Sequence, residues 1–146
     1  MAGLSNAAET ALLELIFKNT NYALIGDATG LRGSSTAGVF YLTLHTADPG
    51  DAGTALTSEI TYTSYARVSV ARSGAGFVVT GNSVSPAATV SFPTGTGGSG
   101  TATHWGITTT ASGAGDLLLS GPITPNIVCG NGITPQLTTA TAITVD

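Results

Sequence analysis

Charge is what this sequence most lacks. Charged residues make up 8% of its 146 positions, and the only cations are Lys18, Arg32, Arg67 and Arg72; an ordinary globular domain carries roughly a quarter. With a formal net charge of −4 and no basic patch, the chain cannot neutralise a run of phosphates, which excludes nucleic acid as a partner. So little charge also means little like-charge repulsion between copies, a property suited to a protein packed among neighbours. Cysteine is scarce too. Cys129 stands alone, so no intrachain disulfide can form, and beside Val128 it reads as a small buried hydrophobe rather than a reactive thiol. No apolar run approaches the roughly 20 residues that span a bilayer, and the first residues show neither a basic n-region nor a continuous apolar h-region. The expectation is a soluble protein made in the cytoplasm, with no membrane partner.

Titratable groups are equally thin: two histidines, eight carboxylates and one thiol, scattered without catalytic or metal-ligand spacing. His45 precedes Asp48 and Asp51, but the run lacks the alternating carboxylates and terminal Glu of a helix-flanked calcium loop, and a turn decorated with solvating Asp residues explains it. His104 has no second histidine at metal spacing, and Cys129 cannot complete a zinc site alone. In an extended segment His104 and Trp105 point to opposite sides, so one of them belongs to the core. The run Gly95-Thr96-Gly97-Gly98-Ser99-Gly100 holds no Lys and does not match a phosphate loop; it reads as a flexible connection. No Gly-x-Ser-x-Gly elbow is present. No catalytic, cofactor-binding or metal-ligating residue is assigned, and the expectation is a protein that is not an enzyme and takes no cofactor.

What fills the sequence instead is Ser, Thr and Gly around a hydrophobic content of 42%. Thr fits a pleated surface and Gly fits tight turns, so the chain reads as β. Only the start looks helical. Asn6 and Glu9 make a capping-box pattern, Leu12, Leu13, Leu15, Ile16 and Phe17 supply an apolar stripe, and Lys18 suits the C-terminal end of the dipole, so a helix is expected over about 5–20. Its stripe is too wide to leave in water, and it either covers an open end of the β-domain or docks on a partner. Strands are expected at 39–45, where Phe40, Leu42 and Leu44 share a face, then at 59–63, 65–72, 76–80, 83–85, 89–92, 101–109, 116–119, 127–129 and 137–145. Turn signals separate them at Pro49-Gly50, Gly81-Asn82, residues 112–115 and Gly130-Asn131-Gly132, the last holding the favoured Asn-Gly hairpin pair. Short strands at this interval argue for one all-β domain over 1–146, a jelly-roll-like antiparallel β-sandwich or barrel over about 39–146 with one N-terminal α-helix.

Several of these segments also form an ordered set. Leu42-Thr43-Leu44-His45-Thr46-Ala47-Asp48-Pro49-Gly50-Asp51-Ala52-Gly53-Thr54, Tyr65-Ala66-Arg67-Val68, Val90-Ser91-Phe92-Pro93, Thr103-His104-Trp105-Gly106-Ile107 and Leu117-Leu118-Leu119-Ser120-Gly121 resemble, in that order, small virion proteins of tailed bacteriophages labelled head decoration (cement) or tail-fibre-like proteins. The resemblance implies a jelly-roll-like fold and a homo-oligomer, dimer or trimer. It implies binding to the major capsid protein on the outer surface of an HK97-type head, where such a cement cross-links capsomers. The alternative is a tail or tail-fibre-associated structural protein involved in adsorption. The strands at 116–119 and at the C-terminus are candidate edges for strand addition by a partner. The resemblance carries no catalytic residue.

Overall fold

Ser5 opens the chain's one helix among the described residues, which run over 4–26 and 30–145 of the computed structural model. Helix α1 spans Asn6–Lys18, and the Ser5 hydroxyl accepts from the Ala8 backbone N–H, so the cap lies one residue earlier than the Asn6 pattern suggests. Asn19 closes the helix in the left-handed conformation at φ 58°, which Asn tolerates. Leu13 and Phe17 are buried, and α1 lies over the β-domain instead of standing free.

Nine strands follow among the described residues: β1 (Val39–His45), β2 (Val68–Ala71), β3 (Phe77–Thr80), β4 (Ser83–Pro86), β5 (Val90–Ser91), β6 (Ser99–Thr108), β7 (Leu117–Gly130), β8 (Gln136–Leu137) and β9 (Ile143–Thr144). They form a four-stranded sheet in the order β2-β1-β6-β7, a three-stranded sheet β3-β4-β9 and a pair β5-β8. Every strand pairing is antiparallel. The sheets stay open rather than closing into a barrel, so the sandwich form of the expected all-β fold is the one adopted.

One core lies between these layers. The cross-strand register sets Phe40 opposite Val70, Leu42 opposite Ile107 and Leu44 opposite Trp105, all turned inward onto Phe77, Val84, Ile123 and Ile143. Phe17 of the helix, Phe40 of β1 and Phe77 of β3 meet with ring centroids 5.5, 5.5 and 6.2 Å apart. This trio joins helix, first sheet and second sheet at one point, in the tilted geometry that aromatic quadrupoles favour. Trp105 is fully buried, so it is the core member of the His104-Trp105 pair.

The departures from expectation have local causes. Residues 59–63 and 65–67 form no strand, only the bridges His45 to Glu59 and Thr63 to Gly97, because Ser58 and Ser64 take positive φ and break the extended run. The stretches at 116–119 and 127–129 belong to one long strand, β7, which admits Pro122 and Pro125 because it stands at a sheet edge. The stretch 137–145 is interrupted by a turn closed from Thr141 N–H to the Thr138 carbonyl, so β8 and β9 join different sheets. Gly130-Asn131-Gly132 links β7 to β8, strands of different sheets. The two-residue hairpin is Gly81-Asn82, with Thr80 paired to Ser83 and Gly81 at φ 59°.

Candidate functional site

The two histidines stand opposite each other on the outer face of the first sheet, His45 on β1 and His104 on β6. His45 is fully buried. Its Nδ1 lies 2.8 Å from the Thr57 carbonyl, which can only accept, so Nδ1 carries the proton; Nε2, 2.7 Å from Thr43 Oγ1, then accepts from that hydroxyl. Burial holds this imidazole below its ordinary range, opposed by the Thr57 carbonyl and the Glu59 charge. Both ring nitrogens are therefore spent, Nδ1 on tying the 46–58 loop to β1 and Nε2 on Thr43 of the same strand. Asp48 is likewise occupied, its Oδ1 accepting from Gly50 N–H at 2.9 Å, and the His45, Asp48, Asp51 run does not converge. No group of three His, Cys, Asp or Glu side chains converges among the described residues.

A second buried network was not foreseen from the sequence. Arg67 forks onto Glu59, with Nε to Oε1 at 2.7 Å and Nη2 to Oε2 at 2.8 Å. Its remaining donors reach the Thr110 carbonyl at 3.0 Å, Thr110 Oγ1 at 3.1 Å and the Gly113 carbonyl at 2.8 Å. All five guanidinium N–H groups are thus used. The Tyr65 hydroxyl donates to Glu59 Oε1 at 2.9 Å and accepts from Leu44 N–H at 3.1 Å, and burial raises its pKa. The hydrogen bond to Glu59 raises that of Arg67. With side-chain exposures of 3% and 10%, this is a closed internal tie between the 58–67 and 109–113 loops. Beside it Tyr62, pushed up to about 12 by burial, donates to the Pro93 carbonyl at 2.8 Å. The Tyr65 ring stacks on Phe92 with centroids 6.2 Å apart.

Arg72 does the same for the helix. Its guanidinium donates to the carbonyls of Leu15 at 2.7 Å and of Ile16, and to Asn19 Oδ1 at 2.9 Å, meeting carbonyls that the end of α1 leaves without helical partners. The sequence signal was only general: with four cations in 146 residues, an Arg set among apolar alternation calls for a partner, but the sequence does not say which. Cys129 is buried, and burial raises its thiol pKa, which leaves it an inert core group. The glycine run at 95–100 is pinned rather than loose: Gly95 N–H donates to the Ile133 carbonyl and the Gly97 carbonyl accepts from Thr63 N–H, each at 2.9 Å. A Cβ on Gly95 would stand 2.1 Å from the Gly130 carbonyl oxygen, so this crossing requires glycine.

Of the polar side chains that a sequence search would nominate, His45 is buried and spent, His104 is half-buried, and Asp48 and Asp51 lie exposed on a loop without converging on any partner site. Leu24, Ile25 and Leu31 are exposed on the segment between α1 and β1, Val39 and Leu118 at the sheet, and Val128 on β7. No helix among the described residues is long and apolar enough to cross a membrane. The edge strands β7 and β9, foreseen as edges, are indeed the last strands of their sheets.

Comparison with known proteins adds the family. No curated protein matches the chain. Residues 3–145 match the family described as Podophage GP4 fiber I protein gp80, a match that runs from before the helix through β9. It bears out the expectation of a phage virion structural protein and favours the fibre alternative over head decoration, for which there is no supporting observation. The chain belongs to the podophage GP4 fiber I protein gp80 family and is a fibre-related structural protein of the phage virion.

Proposed function

We propose that this chain is a non-catalytic module of the phage tail-fibre apparatus that serves adsorption by presenting a rigid β-surface and pairing with copies of itself and with neighbouring fibre proteins. The observation that carries the reading is the family match over residues 3–145. The geometry supports it. His45, Glu59, Arg67 and Tyr65 are consumed in loop-fixing contacts, the arrangement of a scaffold that holds its loops in place.

The test is a phage made without this chain and complemented in trans. The expected result is particles with stable, DNA-filled heads that adsorb poorly to host cells, with adsorption restored by the complementing gene. Normal adsorption together with heads that lose DNA would overturn the reading and return the chain to the capsid.

A further inference from the structure

The loop 46–58 is anchored at two places. At its neck Thr46 N–H donates to the Ser58 carbonyl at 2.8 Å and Ile60 N–H to the Leu44 carbonyl at 2.9 Å, and at its far end Ala55 N–H donates to the Gly115 carbonyl at 3.1 Å. Thr54 bridges Asp116, just before β7. The loop thus runs from β1 to the start of β7 across β6, the strand between them. On the face it crosses, Thr43, His45 and Thr108 are fully buried.

Beneath it, three side chains converge on Gly106. A Cβ there would stand 2.5 Å from Leu117 Cδ1, 2.8 Å from Thr43 Oγ1 and 3.1 Å from His45 Nε2. The imidazole's two hydrogen-bond partners, the Thr43 hydroxyl and the Thr57 carbonyl, are neutral. Of the charged groups around it, Glu59 is already forked by Arg67. His104 stands opposite on β6, and Asp48, Asp51 and Asp116 lie exposed on the loop and at its far anchor. A proton added at Nε2 makes that nitrogen a donor, so the Thr43 hydroxyl must turn to accept from it. An imidazolium sealed in this space has no water, and lifting the loop supplies it.

We propose that the 46–58 loop is an acid-released flap latched by His45: protonation at Nε2 lifts it off β1 and β6 while the rest of the sandwich stays folded, uncovering Leu117 and the Gly106 floor. The closed flap holds the imidazole below its ordinary range through burial. The open form therefore binds the proton more readily and gains population as pH falls below about 6.5, by at most about tenfold per pH unit. The inference does not depend on where in the virion the chain sits.

Hydrogen exchange on the full chain between pH 7.5 and 5, resolved by amide and corrected for intrinsic exchange, tests it. The Ala55 and Thr57 amides, both bonded within the closed loop and its anchor, are expected to exchange at least tenfold faster than the slowest amides of β6. Their opening equilibrium should rise several-fold per pH unit below 6.5. His45→Gln abolishes the rise and His104→Gln keeps it, with far-ultraviolet circular dichroism checking that each variant is folded. Should His45→Gln fail to fold, the unaltered protein decides. Loop amides that exchange in step with β6 at every pH, an opening equilibrium flat from pH 7.5 to 5, or a rise that survives His45→Gln would overturn the proposal.

Discussion

Replacing Arg67 with Ala leaves Glu59 nearly sealed from water with the Tyr65 hydroxyl as its remaining neutral partner, since both forked contacts, at 2.7 and 2.8 Å, are lost together. The Thr110 and Gly113 carbonyls lie on a loop edge and can rehydrate, so the cost concentrates on the carboxylate. Breaking a buried pair from one side costs about 3–5 kcal/mol, because a buried charge is left uncompensated. At roughly 3 °C per kcal/mol for a domain near this size, the melting temperature should fall by about 10–15 °C. Arg67→Lys keeps the charge but not the fork, and should recover only part of the loss. The double variant Glu59→Gln with Arg67→Met removes both charges, and should be more stable than Arg67→Ala alone. Urea unfolding with a double-mutant cycle measures all of this. A loss below about 1 kcal/mol for Arg67→Ala, or a double variant as unstable as the sum of its parts, would refute the claim that this tie holds the loops.

Phe17→Ala opens the meeting point of helix and both sheets and should cost about 3–5 kcal/mol, with helical ellipticity lost at lower denaturant than in the parent; a loss under 1 kcal/mol would mean the helix is not integral to the core. His45 titrates below its ordinary 6.5 because of burial, so the unfolded chain binds that proton more readily than the folded one. Stability should therefore fall as pH drops below about 6.5, by at most ~1.4 kcal/mol per pH unit. In His45→Gln that part of the slope should disappear, and an unchanged pH profile would count against it. Gly95→Ala forces a Cβ against the Gly130 carbonyl and should lower the melting temperature measurably. The equivalent change at Gly74, where a Cβ meets nothing within 4 Å, should have little effect.

How much of this was legible depended on whether the signal was local. β1 was readable to its ends, because Phe40, Leu42 and Leu44 alternate strictly and the loop after His45 is dense in turn residues. The helix was readable from its stripe, though its cap was off by one residue, since Ser5 and Asn6 are both good caps and only the backbone decides between them. The 58–67 segment was not readable. Its alternation looks like a strand, yet Ser58 and Ser64 sit at positive φ, a choice imposed by the Tyr65, Glu59 and Arg67 contacts rather than by local preference. The Asn-Gly pair at 131–132 signalled a hairpin correctly as a turn and wrongly as a strand partner, because pairing is settled by which edge is nearby. The Glu59–Arg67 tie spans eight positions through a folded loop, and nothing in one sequence marks such a pair. The fibre and cement readings shared the same residues, so the choice between them came from the family match.

Where the chain sits on the particle is tested most directly by immunogold labelling of purified, intact virions with an antibody raised against this protein. Gold at the tail fibres, at a constant number per particle and absent from fibre-less heads, is the result expected. Gold spread over the capsid faces, or particles that carry none of the chain, would contradict the account.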